Sequence, residues 1–319
     1  MHNEQNNILY FSSILRKKHS IKQNAPEINK RIAEYGLPES ADDLFKKLKE
    51  YKIKYKLLYK TKDIWARDFM PVKTGMNTYV SFRYYPSYLK WYKKQRTDFM
   101  QDLQKDLPFS VTPSPIILDG GNVVFSPKRT KAIIGDRVFL ENSKHLIREK
   151  EELVRELEKA LHSEVIIIPS YNKIKKNVKK KTVEYEDPTG HADGMVRFIS
   201  ENTVVGNKTT DPHEDKIKSA LSAYGITVED FPYLDIESPN DPKGENICGC
   251  YINYLETDEY IFLPQFIDEN SFEMVKLMDT EAIKEAKRIW KGKKTIVPVN
   301  FSKIAQEGGG VLNCISWEL

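Results

Sequence analysis

One unit of organisation recurs five times along the 319-residue chain: an amphipathic helix, then a β-rich strand, then a short motif of polar and glycine residues. The clearest copy has a helix over Glu149–Leu161, with Leu153 and Leu157 on one face, and a strand over Glu164–Pro169. The other predicted helices and strands are 41–49 with 55–59, 97–105 with 111–117, 215–224 with 226–234, and 279–290 with 295–299. A unit of this size cannot bury its own apolar faces, so it must stack on its neighbours.

Five such units in sequence favour a closed ring in which each unit sends one motif toward a common axis. A doubly wound parallel sheet is the alternative, and we disfavour it because no glycine-rich phosphate turn joins a strand to a helix. We predict a single domain over residues 39–319. Residues 1–38 are polar, lack periodicity and are predicted to form an N-terminal extension.

The charge balance does not favour a nucleic-acid partner, because 50 basic residues face 46 acidic ones. No apolar run is long enough for a membrane span, and the N-terminus lacks the order of a signal peptide. Three cysteines cannot build a disulfide framework, which favours a reducing, cytoplasmic location. Cys248 and Cys250 are spaced poorly for zinc, so we predict no metal.

The last motif places Cys314 four residues after three consecutive glycines, Gly308–Gly310. The apolar residues around it predict a short buried strand. Taken alone, such a cysteine is more often an inert core thiol than a nucleophile.

Polar residues of complementary chemistry fall in the other motifs: Asp68, Asp119, His191 and Asp193. Each has an ordinary structural explanation by itself, such as a turn residue or a solvated strand edge. His191 and Asp193 are two residues apart, so a strand would present both on one face. Together, Asp68 and Asp193 could share a planar guanidinium beside Cys314. His191 could then act as general acid and base, with Asp119 orienting it.

The ordered motifs resemble those of the agmatine deiminase and bacterial-type peptidylarginine deiminase family. They are Trp65-Ala66-Arg67-Asp68, Leu118-Asp119-Gly120-Gly121-Asn122, Gly190-His191-Ala192-Asp193-Gly194, Leu263-Pro264-Gln265-Phe266-Ile267-Asp268-Glu269-Asn270 and Gly308-Gly309-Gly310-Val311-Leu312-Asn313-Cys314-Ile315. The resemblance runs from about Ser40 to the end of the chain. It implies a five-bladed, pseudo-symmetric α/β propeller of ββαβ modules, and a guanidine-modifying enzyme without metal or organic cofactor.

The resemblance also implies a role for each matching residue. It makes Cys314 the nucleophile and His191 the general acid and base, with Asp119 beside it, and it assigns Asp68, Asp193, Trp65 and Asn253 to substrate binding. Asp119 stands where agmatine deiminases usually carry Glu. Met70 stands where they carry Gly, and Ser316-Trp317 replaces their Thr-Gln.

We therefore expect hydrolysis of agmatine to N-carbamoylputrescine and ammonia, a reaction of polyamine biosynthesis. Free or peptidyl arginine, with citrulline as product, and amidino transfer are alternatives on the same site. A non-catalytic guanidinium-binding protein and a Cys-His-Asp peptidase are alternatives of other classes. The lysine-rich run 173–181 is predicted to be a solvated loop. We expect a small guanidinium substrate as partner, no nucleic acid and no membrane; a homodimer is left open.

Overall fold

The computed structural model describes residues 8–16, 39–89, 96–143, 149–170, 174–178, 181–185, 190–234, 246–267 and 273–319. The strands are β1 Leu9–Ser12, β2 Tyr55–Leu58, β3 Val72–Lys73, β4 Tyr79–Arg83, β5 Thr112–Ile117, β6 Val123–Phe125, β7 Lys131–Gly135, β8 Glu164–Ile168, β9 Ile174–Val178, β10 Lys181–Tyr185, β11 Val196–Ser200, β12 Thr203–Asn207, β13 Thr227–Phe231, β14 Leu255–Glu256, β15 Tyr260–Gln265, β16 Thr295–Asn300 and β17 Ser316–Glu318. The α-helices are α1 Asp42–Glu50, α2 Ala66–Phe69, α3 Arg137–Asn142, α4 Lys150–Leu161, α5 Pro212–Ser222, α6 Glu273–Ile289 and α7 Ser302–Gly308.

Five three-stranded sheets share one internal plan. Their orders are β3-β4-β5, β6-β7-β8, β11-β12-β13, β14-β15-β16 and β17-β1-β2. In each sheet the first two strands pair antiparallel, and the third lies parallel to the middle one. A parallel partner needs a crossover connection, which the intervening helical segment supplies. The chain is therefore a mixed α/β fold with five repeated units, as the recurrent pattern predicts.

The N-terminal strand β1 is an integral part of this plan. It lies between β17 and β2, with Leu9 opposite Glu318 on one side and Tyr55 on the other. Leu9 and Phe11 are fully buried in the apolar cluster against the face of this sheet. The predicted extension 1–38 therefore contains a strand of the fifth sheet. Residues 17–38 of that extension lie outside the described residues.

The predicted amphipathic helices form where apolar residues recur at helical spacing. In α1, Leu44, Phe45 and Leu48 are buried, and acidic residues occupy the first turn, where the helix dipole favours them. In α4, Leu153 and Leu157 are buried in the same way. The helix ends at His162, which adopts the left-handed conformation with φ of 54°. These helices cover the sheets and so create the apolar cores between neighbouring units.

Two local predictions were wrong. Residues 97–105 form a π-helical turn, Phe99–Leu103, and a 3₁₀ turn, Gln104–Asp106, where we predicted an α-helix. Asp98 caps this segment by accepting from the Gln101 amide at 3.1 Å, and Pro108 follows before a regular helix can extend. The lysine-rich run was predicted to be a loop, but its described part contains strand β9, which pairs antiparallel with β10.

None of the helices in the described ranges is both long enough and apolar enough to cross a membrane.

Candidate active site

The predicted site residues occupy one common position in the five units. Each lies in the short segment that leads into the first strand of a sheet: Asp68 before β3, Asp119 before β6, His191 and Asp193 before β11, Asn253 before β14 and Cys314 before β17. Equivalent positions of stacked units face the same region, so residues far apart in the chain can meet. The contacts described below join all five segments.

His191 is held between two carboxylates. Its Nε2 lies 2.9 Å from Asp119 Oδ2, and its Nδ1 lies 3.5 Å from Asp68 Oδ1. Burial opposes a charge on the ring, but Asp68 and Asp119 outweigh it and raise the pKa of His191 to about 10. Burial raises the pKa of Asp68 to about 7, although His191 works in the opposite direction. The arrangement therefore favours the protonated form of His191, which can donate a proton within the site.

The local structure around His191 differs from the prediction. His191 and Asp193 do not lie on a strand; Asp193 is in the 3₁₀ turn Ala192–Gly194, and His191 directly precedes that turn. The amide of Ala192 donates to Asn122 Oδ1 at 3.1 Å, which ties the turn to the second motif. Both side chains still lie in the site, because the chain changes direction at this turn before β11 begins. The shorter arm of Asp119, compared with Glu, also suffices to reach His191.

Cys314 is not in a strand either, because residues 312–315 form a turn that ends where β17 begins. Its thiol lies 3.3 Å from Asn253 Oδ1. Burial, and after it the charges of Asp193 and Asp68, raise the pKa of Cys314 well above its ordinary value. The carboxylates therefore oppose thiolate formation, and a cation bound between them and the sulfur would reverse that effect.

Two asparagines connect the cysteine segment to its neighbours. Asn313 Nδ2 donates to Asp193 Oδ2 at 2.6 Å, and the Asn313 amide donates to the Asn253 carbonyl at 3.1 Å. Asn253 Nδ2 donates to the Asp193 carbonyl at 3.3 Å. Asn253, predicted to bind substrate, thus contacts the nucleophile and Asp193 directly. Our sequence reasoning gave Asn313 no role, although its place beside Cys314 was a usable signal.

Two glycines are required by close approach at the site. A Cβ on Gly121 would lie 2.6 Å from Asp68 Oδ1 and 2.8 Å from His191 Nδ1. A Cβ on Gly310 would lie 2.4 Å from the ring of Trp65. Trp65, predicted to bind substrate, therefore packs against the backbone of the glycine motif. The glycines bring backbone where a larger residue would push the functional groups apart.

The sequence reasoning missed Tyr88. Its hydroxyl donates to Asp119 Oδ2 at 2.8 Å, the same oxygen that faces His191. Tyr88 lies in the 3₁₀ turn Ser87–Leu89, outside all five motifs, and 31 residues separate it from Asp119. A tyrosine in a loop segment carries no pattern that would have identified it.

The two remaining cysteines have separate structural contacts. The buried thiols of Cys248 and Cys250 donate to the carbonyls of Ser302 and Gly194, at 3.5 and 3.6 Å. Within the described ranges, no group of three or more His, Cys, Asp and Glu side chains could hold a metal ion.

Comparison with known proteins places the chain in a class that acts on guanidino groups. A model of the Porphyromonas-type peptidyl-arginine deiminases matches residues 19–319, so the chain belongs to that family. This confirms the resemblance drawn from the motifs. A search of curated proteins returned no match.

Solved structures are similar over nearly the whole chain. An agmatine deiminase of C. jejuni is 18% identical with a TM-score of 0.66, covering 98% of this chain and 93% of that one. An agmatine deiminase of Enterococcus faecalis is 19% identical with a TM-score of 0.53, covering 80% and 74%. A DDAH from Pseudomonas aeruginosa is 11% identical with a TM-score of 0.52, covering 98% of each chain. At these identities the likeness concerns the fold alone.

Proposed function

We propose that the protein hydrolytically deiminates a small guanidinium substrate, agmatine first, and releases N-carbamoylputrescine and ammonia. One observation carries the proposal: a cysteine, a histidine and two further carboxylates from different units meet in one largely buried site. Buried carboxylates this close repel each other unless a cation separates them. A guanidinium is the cation whose planar donors match two carboxylates at once.

The proposed first step forms a bond between Cys314 Sγ and the guanidinium carbon. A guanidinium held by Asp68 and Asp193 brings positive charge to the sulfur, offsets the carboxylates and favours the thiolate. Addition gives a tetrahedral adduct. His191 then donates its proton to one nitrogen, the carbon–nitrogen bond breaks, and ammonia leaves.

The proposed second step returns the enzyme to its starting state. Neutral His191 takes a proton from a water molecule, whose oxygen attacks the carbon of the covalent amidino-cysteine intermediate. The carbon–sulfur bond then breaks, the ureido product leaves, and Cys314 and His191 are ready for another turnover. The covalent intermediate divides one difficult substitution into two easier steps. Asp119 keeps the imidazole of His191 oriented in both steps.

Substrate size is the main alternative within this chemistry. His191 is 8% and Asp193 2% exposed, and such buried groups favour a slender substrate over a protein chain. The agmatine deiminases among the similar structures favour the same choice. The family description favours peptidyl arginine instead. Free arginine, amidino transfer to an amine, and guanidinium binding without turnover are the remaining candidates.

A direct assay separates these functions. The protein is incubated with agmatine, free arginine and an amidated, N-acetylated arginine, and both ammonia and the ureido product are measured. We expect agmatine to give the highest kcat/KM. Turnover of blocked arginine alone would assign peptidyl arginine, and product formation that requires an added amine would assign amidino transfer. Binding of agmatine without ammonia release would leave a binding protein.

We further propose that the five sheets are the blades of a closed propeller. The pairing of β1 with β17, which lie near opposite ends of the chain, supports closure through the fifth sheet. A cytoplasmic location, a role in polyamine synthesis and a homodimer stay predictions.

A further inference from the structure

Tyr88 occupies a point where it can control the histidine without touching the substrate-binding carboxylates. Its hydroxyl donates to Asp119 Oδ2 at 2.8 Å, and His191 Nε2 lies 2.9 Å from that same oxygen. Asp119 Oδ1 is buried and has no hydrogen-bond partner among the described residues. The described side-chain contacts of Asp119 therefore converge on one oxygen, and Tyr88 supplies one of the two.

The turn that carries Tyr88 is anchored to the second unit. Ser87 donates to Glu141 twice, from its amide at 2.9 Å and from its hydroxyl at 2.7 Å. Arg137 bonds Glu141 at 3.2 Å and the Ser87 hydroxyl at 3.1 Å, and its guanidinium lies 5.8 Å from the Tyr88 ring centroid. Both anchors belong to α3. The Tyr88 hydroxyl is thus fixed relative to Asp119 by contacts at its own turn.

Charged and titratable groups from several segments act on the two residues that share this oxygen, and Arg137 lies beside the Tyr88 ring. Asp68, Asp119 and Asp193 act on His191, and Tyr84, Asp119 and Asp68 act on Tyr88. Burial raises the pKa of Tyr88 well above its ordinary value, so its hydroxyl keeps its proton. Tyr88 is therefore a permanent donor, and it shares the charge of Asp119 with the imidazole.

We propose that Tyr88 is a positioning residue, which fixes the Asp119 carboxylate and thereby sets the orientation and basicity of His191. The inference rests on the proposed function, because His191 must first give and then take a proton. A donor on Oδ2 weakens the pull of Asp119 on the imidazolium. Without it, His191 holds its proton more tightly, and the step in which His191 donates that proton to the leaving nitrogen becomes slower.

The first test is kinetic, with Tyr88→Phe compared against Tyr10→Phe. Tyr10 is a matched control, because its buried hydroxyl has no partner within the described ranges and it lies on β1. With agmatine, we expect Tyr88→Phe to lower kcat about tenfold, the effect of about one hydrogen bond. KM should stay within about twofold, because Asp68 and Asp193 are untouched. The falling limb of the kcat profile, which reports the loss of the His191 proton, should move to higher pH.

The second test needs no activity. Protein labelled with ¹⁵N-histidine is titrated by NMR between pH 7 and 11, and the His191 signal is assigned by its loss in His191→Asn. We expect the His191 midpoint in Tyr88→Phe to rise by roughly half a unit to one unit over wild type. Tyr10→Phe should match wild type. If no guanidino compound is turned over, the proposed function fails, and this titration still decides the role of Tyr88.

The proposal is overturned if Tyr88→Phe keeps both the wild-type kcat and the wild-type His191 midpoint. It is also overturned if kcat and thermal stability fall together while the midpoint stays, since that is the behaviour of a merely structural residue. Should Tyr88→Phe fail to fold, Ser87→Ala loosens the same turn through its bonds to Glu141 and Arg137. A smaller shift in the same direction is then expected, and no shift would contradict the proposal.

Discussion

Two tyrosine–carboxylate pairs in this chain are built differently. Asp279 in α6 accepts from the Tyr251 hydroxyl at 2.7 Å and from the Phe266 amide at 3.2 and 3.1 Å, so both its oxygens are engaged. Asp119 accepts from Tyr88 on one oxygen, while its other oxygen has no partner in the described part of the chain. Asp279 faces no other carboxylate in these contacts, whereas Asp119 shares His191 with Asp68.

The difference separates a carboxylate that stabilises the fold from one that serves a site. A carboxylate whose two oxygens both accept hydrogen bonds stabilises the fold through those bonds, and removing its charge leaves the donors unpaired. A cluster of incompletely satisfied carboxylates costs stability, and its arrangement is explained by a cationic ligand. Four predictions follow from this contrast, beginning with the largest effect.

The nucleophile should have the largest effect on activity. We expect Cys314→Ala to lower the rate of ureido product formation by at least about 10⁴-fold, because no other group can form the covalent intermediate. Agmatine affinity, measured by calorimetry, should remain. Cys248→Ala is the control: it removes a buried thiol that contacts the Ser302 carbonyl, so activity should persist. Turnover by Cys314→Ala within tenfold of wild type would remove the chemical role of this cysteine.

Neutralising Asp68 in the site and Asp279 outside it should have opposite effects on activity and on stability. Asp68→Asn should lower kcat/KM by about 10²-fold or more, because the guanidinium loses a charged partner. Its unfolding free energy at pH 8 should stay the same or rise, since the raised pKa of Asp68 means that burying its charge costs more than the attraction of His191 returns. Asp279→Asn should lower the unfolding free energy by about 1–3 kcal/mol and leave kcat/KM within about threefold. Equal effects of the two variants on kcat/KM and on the unfolding free energy would contradict the distinction between the two carboxylates.

A methyl group added to a glycine should lower activity only where that glycine lies directly against the functional side chains. Gly121→Ala should lower kcat/KM by about 10–10²-fold, because its Cβ would displace Asp68 and His191 by more than a small adjustment allows. Gly194→Ala is the matched control, since a Cβ there meets nothing within 4 Å. Steady-state kinetics on both variants provide the measurement. The same loss in both would show that the positions respond to backbone changes in general.

The smallest effect concerns the pH dependence of stability. Folding raises the pKa of His191 from 6.5 to about 10, so the folded protein keeps a proton that the unfolded chain loses above pH 6.5. The resulting stabilisation is complete below that pH and is lost as the pH rises toward about 10. We expect urea unfolding to show a loss on the order of 2 kcal/mol between pH 7 and 10. His191→Asn should show a shallower decline, and an identical slope would contradict the coupling.

The repeated units of the fold were predictable because the spacing of apolar residues within each short segment indicates its helix or strand. Leu44, Phe45 and Leu48 mark α1, and the β-branched run 164–168 marks β8, without any knowledge of tertiary structure. The strand β1 was not predictable in this way. Its partners lie in β17 at the far end of the chain and in β2, beyond residues 17–38. Pairing over that distance leaves no pattern in the four residues themselves.

The site was predictable where chemistry and motif position coincide. Cys314, His191, Asp68, Asp119 and Asp193 are brought together as expected. Turns carry Asp193 and Cys314, and His191 directly precedes a turn, where strands were predicted. Tyr88 escaped prediction because its role depends on a contact 31 positions away from a segment without a motif. A tertiary contact of this kind can be recognised only in the folded structure.

The central claim, a covalent reaction at Cys314 on a guanidinium held by carboxylates, is tested most directly by trapping the intermediate. The enzyme is mixed with agmatine, quenched in acid within milliseconds to seconds, digested, and examined by mass spectrometry. We predict that the peptide containing Cys314 gains the mass of the substrate less ammonia in the wild-type enzyme, and that this adduct forms more slowly in His191→Asn, which lacks the acid that releases ammonia. An active enzyme whose Cys314 stays unmodified at every time, in both proteins, would contradict the account.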